Sequence, residues 1–352
     1  LDPSSIDVDT VRLRPWMDKD LDELSKIYQD SEVVRFLMLP TAWGDEQRAG
    51  YIQRTHDAWE AGNPRWAIAD PRTDLLLGGI GVTMMVPGEA SVMYFVAAQA
   101  RGHGIATTAC REAARFAFEK LGVERLTWEA VVGNHYSRLV ALKVGFEIEG
   151  VARKGANQRG VRRDQWRGSL FPSELREDND LPPNFERIRR QASFFTRKPQ
   201  EVSAGISGLT LRPLADPNNL GTVPSIRRSK AQREFDHGTA VNYCLYLNGE
   251  IIDVTLGLWI DQRDNAIAEI KLYGELDDNQ GHIYSSAVER LIDFAFDELL
   301  LERVEWVGNP KDSQVLKTLE AARFETEGLL ANRLHLGGSQ RGAAQVLSRT
   351  RP

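Results

Sequence analysis

The chain has 352 residues, 42% of them apolar, and a formal net charge of −6. That length predicts two domains, and the acidic balance argues against a nucleic-acid partner. Cys110 and Cys244 stand far apart without metal-ligand spacing, so neither a disulfide framework nor a metal site is expected, only two buried thiols. No apolar run reaches the roughly eighteen residues of a membrane span, and Leu1-Asp2-Pro3-Ser4 does not open a secretory leader, so the expected location is the cytoplasm, with no membrane partner.

In chain order, residues 11–16 read as a strand, 21–29 and 47–61 as helices, and 65–70 with 75–86 as a hairpin closed by Pro71-Arg72-Thr73-Asp74. Residues 90–98 continue the sheet and lead through Gln99-Ala100-Arg101-Gly102-His103-Gly104-Ile105-Ala106 into a helix over 106–121. Ala109, Ala113, Phe116, Ala117 and Lys120 share one face of that helix. A strand over 125–132, a helix over 136–144 and strands over 146–151 and 163–170 complete the unit. Residues 172–208, with Pro182-Pro183 and mixed charges, read as linker around a short helix at 185–195. Strands over 242–247, 250–260 and 267–272 follow, the first two joined at Asn248-Gly249. The basic runs Arg187 to Arg197 and Arg341 to Arg351 read as solvated.

The loop at 99–106 has the form of a diphosphate cradle. Glycines at 102 and 104 allow a sharp turn and close backbone approach, and the first N–H groups of the following helix face whatever sits there. Ile105-Ala106 replace the Lys-Ser/Thr of a triphosphate loop, and Thr107 replaces the third glycine of a dinucleotide fingerprint. A third class of phosphate-bearing cofactor remains.

These residues resemble the GNAT acyltransferase superfamily, whose acetyl-coenzyme A motif of Gln/Arg, two residues, Gly, one residue, Gly/Ala is matched by Gln99, Gly102 and Gly104. Asn134-His135-Tyr136-Ser137, then Gly145-Phe146 and Glu149-Gly150, with Arg12-Leu13-Arg14-Pro15-Trp16 at the start, are similar to its branch of ribosomal-protein N-terminal acetyltransferases. The resemblance covers residues 10–175. It implies an N-acyltransferase that takes its acyl group from acetyl-coenzyme A or another acyl-coenzyme A. The cofactor residues implied are Arg101, Gly102, His103, Gly104, Ile105 and Ala106 at the diphosphate, Phe95, Val96 and Ala97 along a splayed strand, and Asn134. Ser137 is the implied acid, because Ala141 stands where many relatives carry a Tyr. Glu129 and Asp164 compete for the role of base. The acceptor is an amine on a small molecule or a peptide N-terminus. Two alternatives stay open: a noncatalytic coenzyme A sensor, or an acyltransferase fed by a carrier protein or an aminoacyl-tRNA.

Displaced by 178 positions, the chain matches itself. Ile105 falls on Ile283, Phe116-Ala117-Phe118-Glu119 on Phe294-Ala295-Phe296-Asp297, Trp128 on Trp306, and Glu149-Gly150 on Glu327-Gly328. The second copy has Gln280 and His282 for the two glycines, Asp277-Asp278 for Gln99-Ala100, Asp312 for Asn134 and Val315 for Ser137. The expected fold is therefore α+β (mixed α/β), with two tandem GNAT-like domains, each a mixed central sheet flanked by helices. The first spans 1–175 and is catalytic, 176–206 is linker, and 207–352 is a degenerate copy. Such a chain is expected to be a pseudo-dimeric monomer or a homodimer.

Overall fold

Alternating apolar and polar residues in short β-branched and aromatic runs build two sheets, one in each of two compact units, Leu1–Pro183 and Asn184–Pro352. The structure is a computed structural model and describes all residues except 38–43, 178–179, 183, 198–199, 215–224, 262–265 and 338–339. Pro183 of the expected linker thus lies outside the described residues.

The first unit contains β1 (Ile6–Val8), β2 (Val11–Arg14), α1 (Leu21–Ile27), α2 (Ser31–Phe36), α3 (Asp45–Arg48), α4 (Tyr51–Glu60), β3 (Arg65–Ala69), β4 (Leu76–Val86), β5 (Glu89–Val96), α5 (Ile105–Leu121), β6 (Arg125–Val131), α6 (His135–Val144), β7 (Glu147–Gln158) and β8 (Val161–Leu170). Its eight strands run in the order β1-β2-β3-β4-β5-β6-β8-β7. Neighbours are antiparallel except β5 and β6, which are parallel because α5 crosses between them. Ala109, Cys110, Ala113 and Ala117 are fully buried, and their small side chains let α5 pack close to the sheet. Trp59, Trp66 and Phe116 meet edge to face, with ring centroids 4.9 Å apart for the two tryptophans and 5.2 Å for Trp66 and Phe116.

The second unit contains α7 (Phe185–Thr196), β9 (Val202–Ser203), β10 (Leu209–Pro213), α8 (Ser225–Asp236), β11 (Ala240–Leu247), β12 (Glu250–Ile260), β13 (Ile267–Tyr273), α9 (Gly281–Asp297), β14 (Arg303–Gly308), α10 (Ser313–Ala321), β15 (Glu325–Gly337) and β16 (Gln340–Thr350). Its sheet order, β9-β10-β11-β12-β13-β14-β16-β15, repeats the first, again with one parallel pair, β13 and β14. Among the described residues no helix is long and apolar enough to cross a membrane.

Three readings of the sequence change. The helix expected over 47–61 is two, α3 and α4, because Gly50 at φ +71° breaks the turn between them. The segment 176–206 is not all linker, since α7 buries Phe185, Ile188, Ala192 and Phe195 in the second unit. Gln191 of that helix donates to the Leu299 carbonyl at 3.1 Å, and Arg187 donates to that of Leu300 at 2.8 Å. The basic run 341–351 is not a solvated tail: it lies in β16, paired on both sides, with Leu347 and Ser348 buried.

Candidate active site

The cradle forms where β5 ends. Past a short helical turn over Ala98–Ala100, Gly102 and Gly104 stand at φ +79° and +80°, and a Cβ on either would meet nothing within 4 Å. The two glycines are therefore required by backbone conformation and leave open space on the ligand side. Ile105, buried at 9% exposure, anchors the first turn of α5, whose leading N–H groups have no intrahelical acceptors. His103 is exposed between the glycines and Ala106 is half-buried. Arg101 does not stand free for a phosphate, because it is ion-paired with Asp30, the N-cap of α2. Hydrogen bonding to Arg101 holds the Asp30 carboxyl below the usual range.

The splay lies just before the cradle. β5 and β6 pair from Glu89 with Arg125 to Val92 with Trp128, and no pair follows among the described residues, while β6 continues along β8 to Val131. The Ala97 N–H donates to the Leu77 carbonyl at 2.8 Å, so the expectation that it is free is corrected. Alternation in the antiparallel β4–β5 pair turns the Phe95 N–H the same way. The N–H groups of Tyr94 and Val96 face the gap instead, so of the three expected residues only Val96 offers one there.

On the α5–α6 side of the gap, Asn134 caps α6 by accepting the Ser137 N–H at 3.2 Å. The Ser137 hydroxyl accepts from Trp128 Nε1 at 3.1 Å and lies 3.0 Å from the Tyr94 hydroxyl. Tyr94 also donates to the Ser137 carbonyl at 3.0 Å. Burial pushes the Tyr94 phenol above its ordinary range, keeping it a neutral proton donor. The sequence reading missed Tyr94, although strand alternation already set it on the same face as Val92 and Trp128.

Glu129 lies one residue past the last β5–β6 pair, on the opposite face from Trp128. Its oxygens meet Arg167 Nε at 3.0 Å and Gln165 Nε2 at 2.9 Å. Asp164 accepts the Lys154 N–H at 2.8 Å, and its carbonyl accepts the Val132 N–H at 2.9 Å. It therefore ties down the irregular stretch of β7, where Lys154 has φ +54°. The structure brings Ser137 and Tyr94 together and sets Glu129 at the lip of the gap, whereas Asp164 holds a bulge.

Among the described residues the second unit pairs β13 with β14 only from Ile267–Arg303 to Glu269–Glu305, but its loop takes a different backbone path. Gly281 is helical at φ −52° and Gln280 stands at φ −106°. Tyr284, 2% exposed, donates to Gln280 Oε1 at 3.0 Å and accepts the Asp277 N–H at 3.3 Å. Asp312 caps α10 as Asn134 caps α6, accepting the Val315 N–H at 3.3 Å. The helix start survives without the hydroxyl.

Residues 10–147 match the acetyltransferase (GNAT) domain family. The chain is 40% identical over 86 residues to "Putative ribosomal N-acetyltransferase YdaF" of Bacillus subtilis (strain 168), a match over 24% of this chain and 47% of that protein. It thus spans about half the length of that relative. It is 26% identical over 159 residues, 44% of this chain and 90% of the other, to "Uncharacterized N-acetyltransferase YoaA" of the same organism. A solved structure described as "Crystal structure of Probable acetyltransferase" aligns at 25% identity and TM-score 0.45, covering 49% of this chain and 99% of that one.

Proposed function

From the GNAT acetyltransferase domain carried by the first unit, we propose that this chain transfers an acetyl group from acetyl-coenzyme A to an amine, using the first unit alone. The observation that supports this most directly is the pair of positive-φ glycines with open space above them, directly beyond a strand whose N–H groups face an unpaired gap. The residues fit the cosubstrate. Gly102 to Ala106 hold its diphosphate on backbone N–H groups, and Val96 with Tyr94 hold the pantetheine arm. When bound, acetyl-coenzyme A supplies the thioester carbonyl that a neutral amine attacks. Glu129 takes the amine proton through water by exchanging its contact with Gln165. Ser137, backed by Tyr94, holds a proton for the departing sulfur, and Asn134 keeps the α6 terminus in register with the gap.

The acceptor is a small amine or a peptide N-terminus. The relative named as a ribosomal N-acetyltransferase supports the peptide. Calorimetric titration of acetyl-coenzyme A into the chain, followed by thiol-release assays with peptides and small amines, tests the reading. Binding with amine-dependent thiol release is expected. Saturable binding without release on any amine would favour a sensor.

A further inference from the structure

A second group of residues lies on the face of the sheet opposite α5. It begins in the sequence Gly78-Gly79-Ile80-Gly81 of β4. A Cβ at Gly79 would lie 2.7 Å from Trp16 and 2.8 Å from Phe95, and one at Gly81 would lie 2.6 Å from Arg65. These glycines let three large side chains lie flat on the strand. Phe95, from the arm of β5 that borders the gap, packs on Tyr28 with ring centroids 5.5 Å apart, and Trp16 meets Tyr51 edge to face at 5.3 Å. The Tyr28 and Tyr51 hydroxyls hydrogen-bond. An aromatic wall thus runs from the gap to Tyr51.

Two arginines flank its far end. Arg65 donates to the Pro64 carbonyl at 3.1 Å, to the Val82 carbonyl and to Thr83 Oγ1 at 2.6 Å. Arg54, its guanidinium carbon 6.0 Å from the Tyr51 ring, donates to the Ala49 carbonyl at 3.1 Å and the Gln47 carbonyl at 2.6 Å. Every one of these acceptors is neutral, and among the described residues no carboxylate pairs with either arginine. Elsewhere in the unit, Arg14 meets Asp20 and Asp74, Arg101 meets Asp30, and Arg125 meets Glu89 and Glu149. Burial lowers the Arg65 pKa, opposed by Tyr51 alone. A guanidinium stays charged in proteins, and one half-buried as Arg65 is, without a counter-ion, is costly unless an anion arrives, while Arg54 stands exposed.

We propose that Arg65, Arg54 and Tyr51 form an anion subsite that takes a carboxylate of the amine acceptor. This rests on the transferase reading above. The acceptor's amine lies at the gap beside Phe95 and its carboxylate lies against Arg65, so amines carrying a carboxylate are preferred over their amides.

The test is calorimetric titration of glutarate, and separately of inorganic phosphate, into the full chain saturated with coenzyme A. Glutarate binding is expected, at least tenfold weaker in Arg65→Met and weaker in Arg54→Gln, with acetyl-coenzyme A affinity unchanged in both variants. That unchanged affinity reports that the fold is intact, and if Arg65→Met does not fold, Arg54→Gln carries the test. No glutarate binding to the parent chain, or equal binding in the variants, overturns the subsite, and tighter binding of phosphate overturns the carboxylate assignment. Failure of the parent chain to bind acetyl-coenzyme A would overturn the transferase reading instead, with the glutarate result on chain without coenzyme A still deciding the subsite.

Discussion

The Ser137 hydroxyl is held by two partners before any substrate arrives, which sets what its removal should do. Ser137→Ala leaves the Trp128 N–H without its acceptor, a loss of about 1–3 kcal/mol when such a group is buried, while the Tyr94 hydroxyl keeps the backbone carbonyl of residue 137. A thiolate leaves well without help, so the expected fall in kcat is about tenfold, below the 10²–10⁴ of a strong general acid. Tyr94→Phe should lower kcat similarly if the two hydroxyls share the proton, and an unchanged kcat in both variants would remove the acid role. The two carboxylates separate by a different readout. Glu129→Gln should cost about 10² in kcat with little change in acetyl-coenzyme A affinity. Asp164→Asn should lower the melting temperature, through the Lys154 N–H it accepts, and leave kcat nearly intact. The reverse pattern would exchange their roles.

Glycines divide by what surrounds them, a property of elements rather than of residues. Gly104 stands at φ +80° in open space, so Gly104→Ala should cost about 1–2 kcal/mol of backbone strain and weaken acetyl-coenzyme A binding, because the new methyl group faces the ligand. Gly145, which ends α6 at φ +118°, would place a Cβ 2.1 Å from the Glu174 carbonyl oxygen. Gly145→Ala should therefore lose more stability than Gly104→Ala, by a further 1–3 kcal/mol or so, and urea denaturation compares them directly. Acid should weaken the edge of the second sheet. Hydrogen bonds from Arg303 and Ser348 hold Glu327 down to about 2, below the unfolded value of about 4.3. Its contribution is then present above that value and is lost as pH falls toward 2. Glu327→Gln should flatten the fall in melting temperature over this window, and an unchanged slope would show the pair contributes nothing. The cradle and the strands beside it were legible in sequence because glycine pattern and strand alternation are local. The Arg101–Asp30 pair was not legible because Asp30 lies far off in sequence, and the helix of α7 was expected but its burial was not, because the stripe of Phe185, Ile188, Ala192 and Phe195 is interleaved with charges.

At the scale of the whole chain, the repeat at fixed displacement foretold two units with one strand order, and both sheets show it. What the repeat could not tell is how the second loop is closed, since that depends on where one side chain turns. Tyr284 is buried in the core and its hydroxyl binds Gln280 and the Asp277 N–H, while Asp277 and Asp278 stand in the sequence positions that Gln99 and Ala100 hold in the first copy. None of Asp277 to His282 has a positive φ, unlike Gly102 and Gly104, so removing the Tyr284 ring alone does not rebuild the turn. Calorimetry on the intact chain should therefore give one equivalent of acetyl-coenzyme A. Tyr284→Ala should keep that stoichiometry, and Gly104→Glu should abolish binding altogether. Two equivalents in the parent chain, or binding that survives Gly104→Glu, would place a working cradle in the second unit and contradict its reading as a copy that kept the fold and lost the anion site.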